Sequence, residues 1–224
     1  MPASPRLALY GYWRSSSSWR VRIGLGWKGL AYQYRAVNLL DGQQFGEEHR
    51  ARSPLSQVPV LEVDEDGRTR QLVQSVAILE WLEERFPAPP LLPSDGYGRA
   101  RVRALAEHVN SGIQPYQNAA ALRWLKEREP PLDQVWVRHW LGTWLAGLER
   151  AVKDGAGRFC HGDAPTLADV YLVPQLYGAR RFGVDTAPYP TLLRVEAACR
   201  ELPAFQAAAP ERQPDAPPDA RSPP

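Results

Sequence analysis

The sequence predicts an α/β domain followed by an all-helical domain. Strand-like and helix-like segments alternate over the first 87 residues, a proline-rich stretch follows, and strand signals then disappear. We therefore expect an α/β domain at residues 1–87, a linker at 88–96 and a helical-bundle domain at 97–213. Residues 214–224 are rich in Pro, Asp, Ala and Arg, and are predicted to form a disordered tail.

The first part of the α/β domain predicts a β-α-β unit. An apolar run at residues 7–12 indicates a strand, and residues 17–28 form a helix between a serine cluster and Gly29. The alternating residues 32–37 predict a second strand. Consecutive strands joined by a helix pair in parallel with a right-handed crossover, so we expect this arrangement here.

A hairpin and a helix are predicted to complete this domain. Residues 58–63 and 71–73 indicate two strands joined by the turn Asp64-Glu65-Asp66-Gly67. Ser75 is predicted to cap a helix that ends before the prolines from residue 87 onward. Between the two strand pairs, residues 38–57 predict a long loop with a short helix. Such loops are more often functional than decorative.

The second domain is predicted to be helical throughout. Its periodic segments are residues 97–113, 114–128, 133–152, 166–181 and 191–199, with a last short turn at 203–209. Three tryptophans spaced by four, Trp136, Trp140 and Trp144, predict a core stripe. Thr166 and Asp169 match the capping-box pattern and predict the start of a helix.

Composition excludes several classes of function. The net charge of +2 gives no basic footprint for nucleic acid or for an acidic membrane surface. No apolar stretch approaches the roughly 20 residues that span a bilayer, and we see no signal peptide. The two cysteines suggest no disulfide framework, and the four histidines share no ligand spacing. We therefore expect a cytoplasmic protein without a bound metal.

A serine cluster, Ser15-Ser16-Ser17-Ser18, lies between the first predicted strand and the first helix. It places hydroxyls and unpaired backbone N–H groups at a helix N-terminus. That is where an anion, or a thiol that must become an anion, is stabilised. Serine runs are also ordinary N-caps, so both interpretations stay open at this point.

The residues from this cluster onward carry a family resemblance. Residues 15–23 resemble the zeta-class signature S-S-C-x-W-R-V-R-I of the glutathione transferases, with Ser17 where the signature has cysteine. Further similar segments include Gln57-Val58-Pro59, Gln74-Ser75, residues 112–118, residues 172–175 and Arg181-Phe182. The resemblance covers roughly residues 6–214. It implies the glutathione transferase fold, with a thioredoxin-like N-terminal domain and a C-terminal helical domain, assembled as a homodimer.

The resemblance also implies a glutathione site. Ser15 matches the position that hydrogen-bonds the glutathione sulfur, and Ser16 and Ser17 could add further donors. Val58-Pro59 matches a cis-proline that presents backbone groups to the tripeptide. The remaining matched positions are Gln74 and Ser75 for the γ-glutamyl carboxylate, Gln44 for the glycyl end, and Gln114 and Asn118 near the mouth of the site.

Catalysis and substrate binding are implied for a smaller set. Ser15, Ser17 and Arg181 are the predicted catalytic residues, and Arg14 and Arg181 are predicted to hold substrate carboxylates. A serine at position 17 cannot form a thiolate. A mechanism in which glutathione supplies the sulfur does not need one.

The implied activity is glutathione-dependent cis–trans isomerisation of maleylacetoacetate to fumarylacetoacetate, in the catabolism of tyrosine and phenylalanine. Three alternatives stay open: isomerisation of maleylpyruvate in the gentisate pathway, transfer or dehalogenation chemistry on α-halo acids, and a protein that binds glutathione or another ligand without turnover. The implied partners are a small diketo acid and a second copy of the chain, with no nucleic acid and no membrane.

Overall fold

The computed structural model describes residues 5–221. The chain forms two compact units. One contains the described residues up to Pro89 together with those from Pro203 onward, and the other is Pro90–Leu202. Within the described residues, no helix has both the length and the apolar character required to cross a membrane.

The first unit is built on a mixed four-stranded sheet. Its elements are β1 (Arg6–Gly11), α1 (Ser16–Trp27), β2 (Gln33–Ala36), α2 (Glu47–Arg52), β3 (Val60–Glu65), β4 (Arg68–Val73) and α3 (Ser75–Arg85). The strand order is β2-β1-β3-β4, with β1 parallel to β2 and antiparallel to β3, and β3 antiparallel to β4. The predicted parallel β-α-β pair and the predicted hairpin are therefore confirmed.

Helix α1 is buried along most of its length. Its apolar residues Val21, Ile23 and Leu25 are fully buried. Just beyond its end, Lys28 Nζ lies 2.5 Å from Glu83 Oε1 of α3 and 2.7 Å from the carbonyl oxygen of Pro89. A buried ammonium group requires such partners, so this contact fixes the end of α1 against α3.

The second unit is helical. Its elements are α4 (Gly96–Glu107), a π-helical segment (His108–Ile113), a 3-10 segment (Gln114–Gln117), α5 (Ala119–Arg128), α6 (Leu132–Lys153), α7 (Leu167–Arg181) and α8 (Pro190–Arg200). The predicted helices at 97–113 and 114–128 are thus interrupted by π- and 3-10-helical turns. Irregular turns of this kind inside a helical path are frequent at functional sites.

The tryptophan row on α6 is not the core stripe that the sequence predicts. The buried residues of α6 are Val137, Leu141 and Leu145, each one position after a tryptophan, together with Leu148 and Val152. The tryptophans flank this stripe, and Trp144 is 39% exposed. Tyr116 stacks on Trp140 with ring centroids 4.9 Å apart, and Trp140 stacks on Trp144 at 5.9 Å. Four-residue spacing alone predicts that these tryptophans are buried in the core. They are stabilised instead by stacking on one another and on Tyr116.

Helix α7 begins with the predicted capping box. Asp169 is fully buried, and its Oδ2 accepts hydrogen bonds from the Thr166 N–H at 2.7 Å and the Thr166 hydroxyl at 2.8 Å. Its Oδ1 accepts from the Cys160 N–H at 2.8 Å. Burial raises the pKa of this carboxyl group, and the N–H donors oppose that shift.

The end of the chain differs from its prediction. A last helix, α9 (Pro203–Ala208), was expected to close the helical domain, but it packs against α1 and groups with the first unit. The sequence also predicts a disordered tail at 214–224. The described part, residues 214–221, contains a 3-10 turn, and the side chain of Asp215 accepts the Trp13 N–H at 2.9 Å. Composition does not indicate this hydrogen bond, because its donor, the Trp13 N–H, lies 202 positions earlier in the chain.

Gly157 occupies a position with no room for a side chain. A Cβ built there would lie 2.7 Å from the backbone carbonyl carbon of Gly162 and 2.4 Å from Asp163 Oδ1. We expect Gly157→Ala to lower the free energy of unfolding by about 2 kcal/mol, because backbone atoms must move. The matched control is Gly155→Ala, whose Cβ would make only an ordinary contact with His161 Nδ1 at 3.6 Å. Urea unfolding of both variants tests this, and equal stabilities would contradict it.

Candidate active site

Ser15 is the N-cap of α1. Its backbone is extended, with φ −66° and ψ 119°, and its Oγ accepts the Ser18 N–H at 3.2 Å. A hydroxyl carries one proton as well as its acceptor lone pairs, so capping leaves the Ser15 O–H available to donate. The Ser16 and Ser17 N–H groups have no acceptor in the part of the chain that the structure describes. The turn therefore presents several donors at the positive end of a helix.

Strand register brings three of the predicted segments to one edge of the sheet. Tyr10 near the end of β1 pairs with Val60 at the start of β3, and Val60 pairs with Val73 at the end of β4. The Ser15 turn follows β1, the Val58-Pro59 pair precedes β3, and Gln74-Ser75 follows β4. Antiparallel neighbours place these ends side by side, so one sheet edge carries all three.

The Val58-Pro59 peptide bond is cis, as the resemblance implied. Val58 is half-buried and lies just before β3, which begins at Val60. Neither its N–H nor its C=O is paired within the described residues. This backbone can therefore pair with an extended peptide-like ligand, as an added strand would.

Gln74, rather than Ser75, is the N-cap of α3, which corrects the sequence prediction. Gln74 has φ +70°, outside the helical region, whereas Ser75 is already the first helical residue. The Gln74 side chain donates to Gln57 Oε1 at 3.2 Å, and its own cap position makes no side-chain bond. The Ser75 and Val76 N–H groups have no acceptor among the described atoms, so the helix start remains open to an anion.

A buried arginine lies beneath this helix start. Arg20 of α1 is fully buried, and its Nη1 donates to Ser75 Oγ at 3.4 Å. A guanidinium next to a helix N-terminus adds positive potential where the resemblance implies a carboxylate. Sequence reasoning assigned Arg20 no role. The available signal is a pair of charges, Arg20 and Arg22, in a helix whose other residues are uncharged.

Gln44 lies in a 3-10 turn (Gln43–Phe45) and is buried. Its Nε2 donates to the Leu39 carbonyl at 3.4 Å, but its buried Oε1 has no hydrogen-bond partner among residues 5–221. Leaving a buried amide atom unpaired costs free energy, and such atoms call for an explanation. A polar ligand contact at this loop would supply one.

Arg14 and Ser17 flank the Ser15 cap. The Arg14 guanidinium lies over the Trp13 ring, 5.2 Å from its centroid, and its side chain is half-buried. Ser17 is half-buried in the first turn of α1. Its position near the cap is therefore the one that the resemblance implies, with a hydroxyl in place of a thiol.

The second unit carries the other three predicted residues. Gln114 begins the 3-10 segment, and Asn118 caps α5 by accepting the Ala120 N–H at 2.9 Å. Arg181 is the last residue of α7, exposed, with its guanidinium 4.1 Å from the centre of the Phe182 ring. Asn118 thus has a structural role that sequence reasoning did not assign.

A glutamine pair that the sequence did not single out supports this irregular region. Gln117 Nε2 donates to Gln175 Oε1 at 2.9 Å, and Gln175 Nε2 returns a weaker bond at 3.4 Å. Gln175 is fully buried on α7. The pair therefore joins the 3-10 segment with Gln114 to the helix that ends at Arg181.

Comparison with known proteins identifies the class. Residues 9–90 match the glutathione S-transferase N-terminal domain. The zeta-class glutathione S-transferase of Euphorbia esula is 44% identical over 216 residues, which cover 96% of this chain and 94% of that protein. The chain belongs to the zeta class of the glutathione transferases.

Other relatives are named as isomerases. Pseudomonas aeruginosa maleylacetoacetate isomerase is 47% identical over 94% of this chain and 99% of its own length. Maleylpyruvate isomerase from a Ralstonia species is 46% identical over 93% of this chain and 99% of its own length. The maleylacetoacetate isomerase of Anaeromyxobacter dehalogenans, solved with glutathione in its active site, is 69% identical with a TM-score of 0.90. Its structure matches 96% of this chain and 99% of its own.

Proposed function

We propose that this zeta-class chain is a glutathione-dependent isomerase that converts maleylacetoacetate to fumarylacetoacetate. The observation that carries the proposal is its similarity, 69% identity over 96% of the chain, to a maleylacetoacetate isomerase solved with glutathione bound. A second structure of that relative holds dicarboxyethyl glutathione and citrate, a thioether and a polycarboxylate. Both ligands belong to the chemistry of a thiol and an acidic substrate.

The first unit offers polar groups that match those of glutathione. The tripeptide offers a thiol, two peptide groups and two carboxylates. Against these, the unit provides the Ser15 hydroxyl together with three sets of groups that have no partner within the described residues: the Val58 backbone, the Gln44 amide oxygen and the first N–H groups of α3. We infer that Ser15 and Ser16 bind the sulfur, Val58 and Pro59 the cysteinyl backbone, Gln74 and Ser75 the γ-glutamyl end, and Gln44 the glycyl end.

Ser15 is the proposed catalytic hydroxyl. Bound glutathione supplies a thiolate nucleophile that is regenerated at the end of each turnover. A donor hydroxyl at a helix N-terminus favours the thiolate over the thiol and so lowers the pKa of the bound sulfur. Ser17 contributes a further hydroxyl in the same turn. No thiol from the protein is required.

The substrate carboxylates require cationic partners. We propose that Arg181 and Arg14 hold them, since a planar guanidinium binds a carboxylate through two parallel hydrogen bonds. Both arginines lie over aromatic rings, which restricts their motion. Gln114 and Asn118 are proposed to contact the bound glutathione conjugate from the helical unit. The two compact units would then be the glutathione domain and the substrate domain.

The biological setting follows from the proposed reaction. A cytoplasmic homodimer acting in the catabolism of aromatic amino acids agrees with the class, and light scattering of the purified chain would test the dimer. Among the described residues, no group of three His, Cys, Asp or Glu side chains is placed to hold a metal ion.

The test is turnover with glutathione at a concentration far below that of the substrate. We expect loss of the maleylacetoacetate absorbance with many turnovers per glutathione and no fall in free thiol, because the thiolate is returned. Without glutathione, the rate should fall to that of the uncatalysed reaction. Thiol loss equal to the product formed would instead indicate transfer or dehalogenation. Glutathione binding without turnover would indicate a binding protein.

Maleylpyruvate is the second candidate substrate. The Ralstonia maleylpyruvate isomerase is as similar as the Pseudomonas enzyme, at 46% against 47% identity. The two substrates differ in chain length and share the same thiol chemistry. The ratio of kcat/KM for the two decides between them, and we expect maleylacetoacetate to be preferred.

A further inference from the structure

The C-terminal segment, which we define as residues 203–220, is fixed to the turn that precedes Ser15. Helix α9 lies on α1, where Ala204 contacts the surface at Gly26. The buried Gln213 side chain donates to the carbonyls of Ala207 at 3.0 Å and Ala209 at 2.8 Å, which closes the following bend. The segment then reaches Trp13, whose buried side chain packs with Tyr12 and Ala216.

Two charged residues hold the backbone of Trp13 from both sides. Asp215 Oδ2 accepts the Trp13 N–H at 2.9 Å. Arg22 Nη2 donates to the Trp13 carbonyl at 2.9 Å, while its Nη1 donates to the Tyr12 carbonyl at 3.4 Å. The Tyr12 carbonyl also accepts the Ser15 N–H at 3.0 Å, so the same carbonyl links Arg22 to Ser15.

The same two residues are tied to other elements. Arg22 Nε donates to the Ala208 carbonyl at 3.0 Å, and the Tyr34 hydroxyl of β2 donates to Asp215 Oδ2 at 3.2 Å. Burial raises the pKa of Tyr34, and the carboxylate of Asp215 raises it further, so this hydroxyl stays protonated and can donate. The network thus joins β2, α1, the Ser15 turn and the C-terminal segment.

The Asp215 carboxylate also contributes negative charge near the buried Arg22 guanidinium. Arg22 is 1% exposed, and burial lowers its pKa, whereas Asp215 acts in the opposite direction. A buried guanidinium whose hydrogen bonds go to carbonyls still lacks a counter-charge. Asp215 provides negative charge from the other end of the chain.

We propose that Asp215 is a positioning residue for the Ser15 hydroxyl, acting through Trp13 and together with Arg22. This positioning role rests on the proposed function. The hydrogen-bond network of Asp215, Arg22, Trp13 and Tyr34, which we call the brace, does not depend on it. Loss of the Asp215 carboxylate frees the Trp13 N–H and removes the counter-charge of Arg22. The turn from Tyr12 to Ser15 then moves, and the hydroxyl is displaced from the sulfur it serves. Small displacements of catalytic groups lower turnover more than binding.

Hydrogen exchange of the ligand-free full-length chain tests the brace. In Asp215→Ala, we expect the peptide that covers residues 12–18 to exchange about tenfold faster, because its turn opens more often. Asp215→Asn keeps an acceptor for the Trp13 N–H but loses the negative charge near Arg22, so its exchange rate should lie between those of the wild type and Asp215→Ala. The matched control, Asp219→Ala, removes an exposed carboxylate of the same segment and should change nothing. Peptides from β3 and β4 should keep their exchange rates in every variant.

Steady-state kinetics test the positioning. We expect kcat of Asp215→Ala to fall by about tenfold, while KM for glutathione changes by less than about threefold, because Gln74 and Ser75 are untouched. Asp215→Asn keeps only the hydrogen-bond acceptor, so its kcat should lie between those of the wild type and Asp215→Ala. A fall in kcat that only follows the folded fraction, or an equal fall in Asp219→Ala, would overturn the proposal.

A second variant covers the case in which Asp215→Ala fails to fold. Tyr34→Phe removes one donor to Asp215 and should speed exchange in residues 12–18 by about threefold. Unchanged exchange in Tyr34→Phe would overturn the brace, whether or not Asp215→Ala folds. Hydrogen exchange needs neither glutathione nor substrate. An inactive wild-type protein would therefore refute the proposed function, while the exchange experiment would still test the brace. Faster exchange with unchanged kcat would refute only the positioning role.

Discussion

Replacing Ser15 with alanine is expected to lower kcat by about a hundredfold, a loss typical of removing one preorganised donor from a developing or resident anion. The pKa of the bound thiol should rise toward about 8.5, its ordinary value, since the hydroxyl no longer stabilises the thiolate. The ultraviolet absorbance of the thiolate, recorded against pH in the binary complex, measures this pKa. Single-turnover kinetics measures the rate of the chemical step.

Two further substitutions separate the hydroxyl from the cap. Ser15→Ala also removes the acceptor for the Ser18 N–H, which costs about 1 kcal/mol of stability, whereas glycine at an N-cap costs only a few tenths. Ser15→Gly should therefore lose as much rate as Ser15→Ala while remaining more stable. Ser15→Thr keeps the hydroxyl and should retain the thiol pKa. A Ser15→Ala variant at full rate would remove Ser15 from the mechanism.

Replacing Asp169 with asparagine is expected to lower the free energy of unfolding by about 3 kcal/mol, because hydrogen bonds to a buried carboxylate are lost and not replaced. Its two oxygens accept from the Cys160 N–H and from the N–H and hydroxyl of Thr166. An amide has one oxygen, and its NH₂ group would face one of these donors. Urea unfolding of the wild type and the variant gives the difference.

The matched control for Asp169 is Asp154→Asn. Asp154 is exposed at the end of α6 in the same unit, so the same chemical change should alter stability by less than about 0.5 kcal/mol. Equal losses in the two variants would show that burial and hydrogen bonding of Asp169 contribute nothing. Activity of Asp169→Asn per folded molecule should stay close to that of the wild type.

Features that depend on neighbouring residues were predictable from the sequence. The Ser15 turn and the Thr166–Asp169 box each involve residues three positions apart, and both occur as the patterns indicate. The pairing of β1 with β2 follows from a single β-α-β unit. In each case, the hydrogen-bonding partners lie within one short stretch of chain.

Features that depend on backbone conformation or distant partners were not predictable. The N-cap of α3 is Gln74 because this residue has a positive φ, which the pattern of side chains in the sequence does not predict. The core stripe of α6 begins at Val137 because the tryptophans stack with Tyr116. Residues 214–221 have the composition of a disordered segment. Their order comes from Trp13 and Tyr34, which lie 202 and 181 positions away from Asp215.

The first unit combines the described residues up to Pro89 with those from Pro203 onward, and this has a consequence for biosynthesis. Ribosomes release a protein from its N-terminus onward, and domains generally fold in that order. Here the β-α-β unit emerges first, yet Arg22 lacks the Ala208 carbonyl and the Asp215 carboxylate until those two residues have been synthesised. The helical unit, whose residues Pro90–Leu202 are contiguous, has no such dependence. The backbone of Trp13, just before Ser15, therefore gains its hydrogen bond to Asp215 only after the whole helical unit has been synthesised.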